Sequence, residues 1–88
     1  MITREQVNAI AAKIETLGVD ESTVSALRQQ YQNIHFTYCM DDDLPNNTPV
    51  IEYKGFNLYC VMSREHCLCL TNDYDTATGI VVAEVITD

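Results

Sequence analysis

The stretch Ile34-His35-Phe36-Thr37-Tyr38-Cys39-Met40 decides the fold class, because the hydrophobic pattern of the chain changes where it begins. Within this stretch large apolar side chains occupy every second position, which is typical of a β-strand. The residues before it repeat their apolar side chains at helical spacing, and the residues after it form further short runs suited to strands. The sequence therefore predicts an α+β fold in which helices precede a sheet.

Two helices are predicted ahead of this strand. A capping box that begins at Thr3 starts the first helix, residues 4–17, and Gly18 supplies the signal for its end. Asp20 can cap a second helix, residues 21–33. Each helix carries a single apolar stripe, so we expect both stripes to pack on one face of the sheet.

The rest of the chain predicts a mainly antiparallel sheet of four to five strands within a single domain, residues 1–88. The last strand is apolar on both sides except at Glu84, so we expect it to be central in the sheet or covered on both faces. A tight hairpin is predicted at Lys54-Gly55. The predicted strands cover about residues 34–40, 50–53, 56–62, 66–71 and 80–86.

The charge of the chain limits its partners. Thirteen acidic residues against five basic ones give a net charge of -8. A surface of this sign repels nucleic acids and anionic membranes and favours a basic protein partner or a cation. The sequence contains neither a signal core at its start nor an apolar run long enough to span a membrane, so we expect a cytoplasmic protein with reduced thiols.

The turn between strands 56–62 and 66–71 decides which side chains share a face, because a shift of one residue exchanges the two faces. An odd turn of three residues, 63–65, groups the apolar side chains of both strands on the helix side. An even turn instead places Cys60 opposite Cys69. The odd turn separates apolar from mixed side chains better and is our prediction. The face away from the helices then carries His35, Cys39, Asn57, Tyr59, Cys67 and Cys69.

An acidic loop follows the first strand. It begins with Asp41, Asp42 and Asp43 and continues to residue 49, and two prolines interrupt it. A calcium loop of the EF-hand type is not predicted, because Asn46 stands where that loop needs glycine. The three aspartates, together with Asn57 and Tyr59 on the sheet, are therefore the candidate residues for binding a protein partner.

Three cysteines form the alternative site. Cys39, Cys67 and Cys69 are the candidate ligands for zinc or an iron–sulfur cluster, although no C-x-x-C pair is present. Two residues apart on a strand, Cys67 and Cys69 have Cβ atoms roughly 6–7 Å apart, so joint binding of one ion requires a local bend. Free cysteines also pack as small apolar residues, which is the simpler interpretation of all three.

No catalytic motif is recognisable in the sequence. A serine–histidine–acid pattern, a glycine-rich phosphate loop and a metalloprotease helix are all missing, and the chain has only three glycines. We therefore expect a protein without catalytic residues and without a cofactor.

Four short runs of the chain carry a resemblance to known proteins. These runs are His35-Phe36-Thr37 with Cys39 and the three aspartates, Gly55-Phe56-Asn57-Leu58-Tyr59, Glu65-His66-Cys67-Leu68 and Ala77-Thr78-Gly79-Ile80-Val81. They resemble a family of small uncharacterised bacterial proteins, some of which are encoded near nitrogen-fixation genes. The resemblance implies a cytoplasmic accessory role beside metalloenzyme assembly, and it carries over no activity and no site residues.

Together these observations predict a small acidic interaction module that contacts a protein partner through the loop at residues 41–49 and the exposed face of the sheet. A second copy of the chain is another candidate to cover that face, as a homodimer. The alternative function is a metal or thiol carrier that uses Cys39, Cys67 and Cys69.

Overall fold

The computed structural model of the chain describes residues 2–44, 48–64 and 67–86, and the side chains of residues 63, 64, 67 and 68 lie outside that description. Two helices precede five strands, with one short 3-10 turn after the first strand. The elements are α1 (Arg4–Leu17), α2 (Glu21–Gln30), β1 (His35–Met40), the 3-10 turn (Asp41–Asp43), β2 (Ile51–Glu52), β3 (Phe56–Arg64), β4 (Cys67–Thr71) and β5 (Gly79–Glu84).

Local capping interactions define the first helix. The Thr3 hydroxyl accepts a hydrogen bond from the Gln6 amide at 3.1 Å, and the Thr3 amide donates to Gln6 Oε1 at 3.0 Å. This capping box satisfies two amides that a helix start leaves without intrahelical partners. At the other end Gly18 adopts φ 102°, and its amide donates to the Ile14 carbonyl at 2.8 Å. The positive φ explains why glycine stands here.

The second helix is shorter than the sequence predicts. Asp20 Oδ1 caps it by accepting from the Thr23 amide at 2.8 Å. The helix ends at Gln30 rather than near residue 33, because Tyr31 leaves the helical region with φ -118° and ψ 75°. The chain turns there and brings Ile34 into the core, where it is buried. None of the described helices is long and apolar enough to cross a membrane.

The α+β prediction is confirmed, but the sheet is mixed. Its strand order is β1-β5-β3-β2, and β4 also pairs with β3. β1 and β5 run parallel, whereas β3 is antiparallel to β2, β4 and β5. The central position expected for the last strand is observed, since β5 lies between β1 and β3 and its residues 79–83 are all buried.

The main hydrophobic core lies between the helices and one face of the sheet, as the two apolar stripes predict. Alternate residues of β3 and β5 join it, namely Phe56, Leu58, Cys60, Ile80 and Val82, of which Leu58 and Val82 are fully buried. A smaller second core lies on the opposite face. Its buried residues are Tyr59, Val61, Val81 and Ala83, and Cys39, Leu44 and Leu70 pack against them.

The predicted odd turn between β3 and β4 is wrong. β3 continues to Arg64, which pairs with Cys67, so that two residues and not three separate the paired ends of the strands. Cys69 pairs with Met62 and therefore lies on the helix side of the sheet, while Leu70 pairs with Val61 on the other side. The prediction assumed a single apolar face. Because both faces carry a core, separating apolar from mixed side chains could not identify the turn.

Gly79 provides a test of the packing where three strands meet. A Cβ atom at this position would lie 2.7 Å from the His35 carbonyl oxygen and 3.0 Å from Val61 Cγ2. We expect Gly79→Ala to lower the free energy of unfolding by about 1–3 kcal/mol, measured by urea denaturation. Gly55→Ala is the matched control, because a Cβ there meets nothing within 4 Å. Equal losses in the two variants would contradict the close packing at Gly79.

Candidate functional site

The acidic turn is attached to the sheet through Asp41. Asp41 Oδ1 accepts hydrogen bonds from Asn57 Nδ2 at 2.9 Å and from the Tyr59 hydroxyl at 2.8 Å. Asn57 and Tyr59 are two residues apart on β3, so both side chains project from the face away from the helices. The structure thus brings together three of the five residues predicted to bind a partner.

The topology explains why the turn crosses this face. Asn57 and Tyr59 lie on β3, and β5 separates β3 from β1, so the turn that follows β1 reaches across β5 to contact them. The Leu44 amide donates to the Asp41 carbonyl at 3.0 Å and closes the turn, and the Leu44 side chain packs on the second core. One apolar contact and one carboxylate therefore hold the start of the loop on the sheet.

Tyr59 is a hydrogen-bond donor in this cluster. Its side chain is 3% exposed, and burial is the main cause that raises the pKa of its hydroxyl. The hydrogen bond to Asp41 and the charge of Asp41 raise this pKa further, whereas the Asn57 contact lowers it. The phenol therefore stays protonated at neutral pH and donates a hydrogen bond to the carboxylate.

Asp42 and Asp43 have different surroundings from Asp41. Both side chains are exposed. Among the described residues, neither carboxylate has a hydrogen-bond or ion-pair partner. Asp41 holds the turn in place, and its two neighbours present their charges to solvent.

Cys39 lies beside this turn, on the same face of the sheet. Burial is the largest cause that raises the pKa of its thiol, and the nearby charges of Asp43 and Asp41 raise it further. A thiol with a raised pKa is mostly protonated at neutral pH, and it is then a poor nucleophile and a poor metal ligand. The surroundings of Cys39 favour a packing role.

The three candidate metal ligands are not brought together. Cys39 packs on the second core, whereas Cys69 is exposed on the helix side of the sheet. Cys39 lies on β1 and Cys69 on β4, and β5 and β3 lie between these two strands. Along the strand direction Cys39 is level with Asn57 of β3, and Cys69 is level with Met62, five residues further on. The two cysteines are therefore on the order of 20 Å apart. One ion cannot bind both, since zinc–sulfur bonds are about 2.3 Å. The Cys67 side chain lies outside the described residues.

Other acidic, histidine and cysteine side chains do not form a metal site either, as far as the described residues go. No group of three or more of them is arranged to hold an ion. Cys60 is buried within the main core, and burial raises the pKa of its thiol. His66, which precedes Cys67 in the sequence, lies outside the described part of the chain.

The polar pair of Tyr38 and Glu84 was not predicted from the sequence. The Tyr38 hydroxyl donates a hydrogen bond to Glu84, and this bond is the main cause that raises the pKa of Tyr38 to about 12. Glu84 stands out in the sequence as the only polar residue of the last strand. Its partner could not be identified, because the contact depends on the parallel pairing of β1 with β5.

The contact between Asp41 and Tyr59 can be tested by titration. Asp41→Asn removes the charge but keeps an oxygen in the same place. We expect the pKa of Tyr59 to fall and yet to stay above its ordinary value, because burial is the larger cause. NMR of ring-labelled tyrosine against pH measures this value. Asp42→Asn, which removes the same charge from the exposed neighbour, should leave the pKa of Tyr59 nearly unchanged, and equal shifts in both variants would contradict the contact.

The surroundings of the thiols predict an order of alkylation. In a Cys67→Ser background, three thiols remain whose positions are described. Cys69 is exposed and should react first with iodoacetamide at neutral pH, Cys39 should follow slowly, and Cys60 should react only on unfolding. Mass spectrometry of peptides at successive times gives the order. Alkylation of Cys39 ahead of Cys69 would contradict the description of Cys39 as a protonated, half-buried thiol.

Comparison with known proteins gives a family without an assigned function. The model of DUF6129, a family of unknown function, matches residues 9–85. None of the curated proteins matches the chain significantly, and none of the solved structures does. The matched region includes both the acidic turn and the strand that holds it. The chain therefore belongs to the family of unknown function DUF6129.

Proposed function

We propose that this chain is a small acidic interaction module without catalytic activity, which binds a basic segment of a protein partner through the turn Asp41–Asp43. The observation that supports this proposal is the pair of hydrogen bonds that Asn57 and Tyr59 donate to Asp41. It holds the turn on the sheet while the carboxylates of Asp42 and Asp43 stay exposed. In this arrangement two adjacent negative charges are available at a defined position.

Attachment of the turn supports binding energetically. A segment that is already ordered loses less conformational entropy when a partner binds it. The Asn57 and Tyr59 side chains, together with Leu44 on the second core, provide that order before any partner arrives. The net charge of -8 adds a long-range attraction for a basic partner and accelerates association.

The proposed contact surface is smaller than the one expected from the sequence. The sheet face away from the helices is not open around Tyr59, because Leu44 packs on it and four of its side chains are buried. Asn57 and Tyr59 therefore support the turn in our proposal and do not touch the partner. Asp42 and Asp43 make the contact.

The carrier function is the less favoured alternative. A carrier with Cys39, Cys67 and Cys69 in one site does not fit the separation of Cys39 from Cys69. A cytoplasmic accessory role beside nitrogen-fixation metalloenzyme assembly remains part of the proposal. It rests on the resemblance of the sequence alone.

A basic peptide rich in lysine and arginine is a suitable probe for the turn. We expect it to shift the backbone amide signals of residues 41–44 in a ¹⁵N NMR titration at low salt. Asp42→Asn combined with Asp43→Asn should weaken binding by about tenfold, because exposed ion pairs contribute at most about 1 kcal/mol each. A peptide with glutamine in place of its basic residues should not bind.

The chain offers a matched control for this variant. Asp73 and Asp75 are also exposed, and the Asp73 side chain accepts from the Asp75 amide, a bond that asparagine can keep. Asp73→Asn combined with Asp75→Asn removes the same charge from another loop and should leave binding nearly unchanged. If both double variants weaken binding equally, the peptide responds to net charge only, and the proposed site is wrong.

A further inference from the structure

A cleft of about 440 Å³ lies at the start of β1, at the opposite end of this strand from the acidic turn. Its volume falls within the range of small-molecule sites. Polar residues among its lining are Arg28, Gln32 and His35, and apolar ones are Ile34, Phe36 and Val61. The cleft is therefore lined by both polar and apolar residues, as sites for small ligands commonly are.

The charge of the cleft differs from that of the whole chain. Thirteen of the 88 residues are acidic, yet none of the described residues that line the cleft is an aspartate or a glutamate. One of the five basic residues, Arg28, lies in its wall. An anion therefore meets a cation here, whereas most of the remaining surface repels it.

The Arg28 guanidinium is held at the edge of the sheet. Its Nε and Nη2 donate to the Phe36 carbonyl oxygen, at 3.4 and 3.2 Å. Nη1 lies 3.5 Å from Glu21 Oε1, but this pair is 46% and 65% exposed and is therefore weak. A guanidinium has five N–H groups, so N–H groups remain on both terminal nitrogens. These are suited to donate to the oxygens of a carboxylate.

The apolar residues that line the cleft come from both faces of the sheet. Ile34 and Phe36 are 5% and 6% exposed and belong to the main core, whereas Val61 is 7% exposed and belongs to the second core. The cleft therefore lies at the edge of the sheet beside β1, and both cores fix the residues that line it.

We propose that this cleft binds a small organic carboxylate, with its carboxylate on Arg28 and its organic body against the other residues that line the cleft. The site is separate from the acidic turn and does not depend on the function proposed for it. A monoanion is favoured over a phosphate dianion, because a single cation in a chain of net charge -8 cannot balance two charges.

Sodium benzoate is the probe, and benzamide, its neutral counterpart of nearly the same shape, is the control. In a ¹⁵N NMR titration we expect benzoate to shift the backbone amides of residues 34–37 saturably, with a Kd in the millimolar range typical of so small a ligand. Benzamide should bind at least about tenfold more weakly, since it lacks the charge. Equal shifts with both compounds, or benzoate shifts outside the cleft, would overturn the proposal.

Inorganic phosphate tests the choice of ligand class. It should not compete with benzoate, and phosphate binding in the cleft as tight as benzoate binding would overturn the assignment of a carboxylate with an organic body.

Three variants test the role of Arg28. Arg28→Gln should raise the Kd for benzoate by about tenfold or more, because it removes the charged pair of donors. Lys54→Gln removes the same charge at the exposed turn between β2 and β3 and should leave the Kd unchanged. Arg28→Lys keeps the positive charge but lacks the paired N–H donors. If the NMR spectrum of Arg28→Gln shows unfolding, the benzoate Kd of Arg28→Lys is used in its place. Binding by Arg28→Lys as tight as that of the parent chain, or equal losses in Arg28→Gln and Lys54→Gln, would overturn the proposed contact.

Discussion

Burial of β5 on both faces is the constraint on which the other parts of this structure depend. Its residues 79–83 are all buried, and a strand of this kind needs cover on two sides. The helices cover one side through their apolar stripes. The start of the acidic loop covers part of the other, where Leu44 packs on the smaller core. The loop is thus a structural element as well as a charged segment.

The three adjacent aspartates of this loop have two different roles. Asp41 is within hydrogen-bonding distance of the sheet because Asn57 and Tyr59 lie on the face that the loop crosses. Asp42 and Asp43 remain exposed. A carboxylate that holds the turn and carboxylates that face solvent are chemically identical in the sequence, and only their position relative to β3 distinguishes them. The proposed interaction surface follows from this division.

β1 connects two chemically different regions. Its last residue leads into the exposed carboxylates of the acidic turn, and its first residues border the cleft that contains Arg28. Arg28 also covers the Phe36 carbonyl at the outer edge of β1, where no described strand pairs. An uncovered edge is a site of unwanted strand pairing, so this contact has a structural value besides the one proposed for ligand binding.

The sequence by itself determined the order of helices and strands, the N-terminal caps of both helices and the central place of the last strand. These features depend on residues close together in the chain, such as Thr3 with Gln6 or the alternation in residues 34–40. Only the tertiary structure decided the parallel pairing of β1 with β5, the turn between β3 and β4, the partners of Asp41 and the separation of Cys39 from Cys69. The physical reason is that each of these features depends on contacts between segments far apart in the chain. In addition, strand register can be predicted from sequence when only one face of a sheet is apolar, and here both faces carry an apolar core.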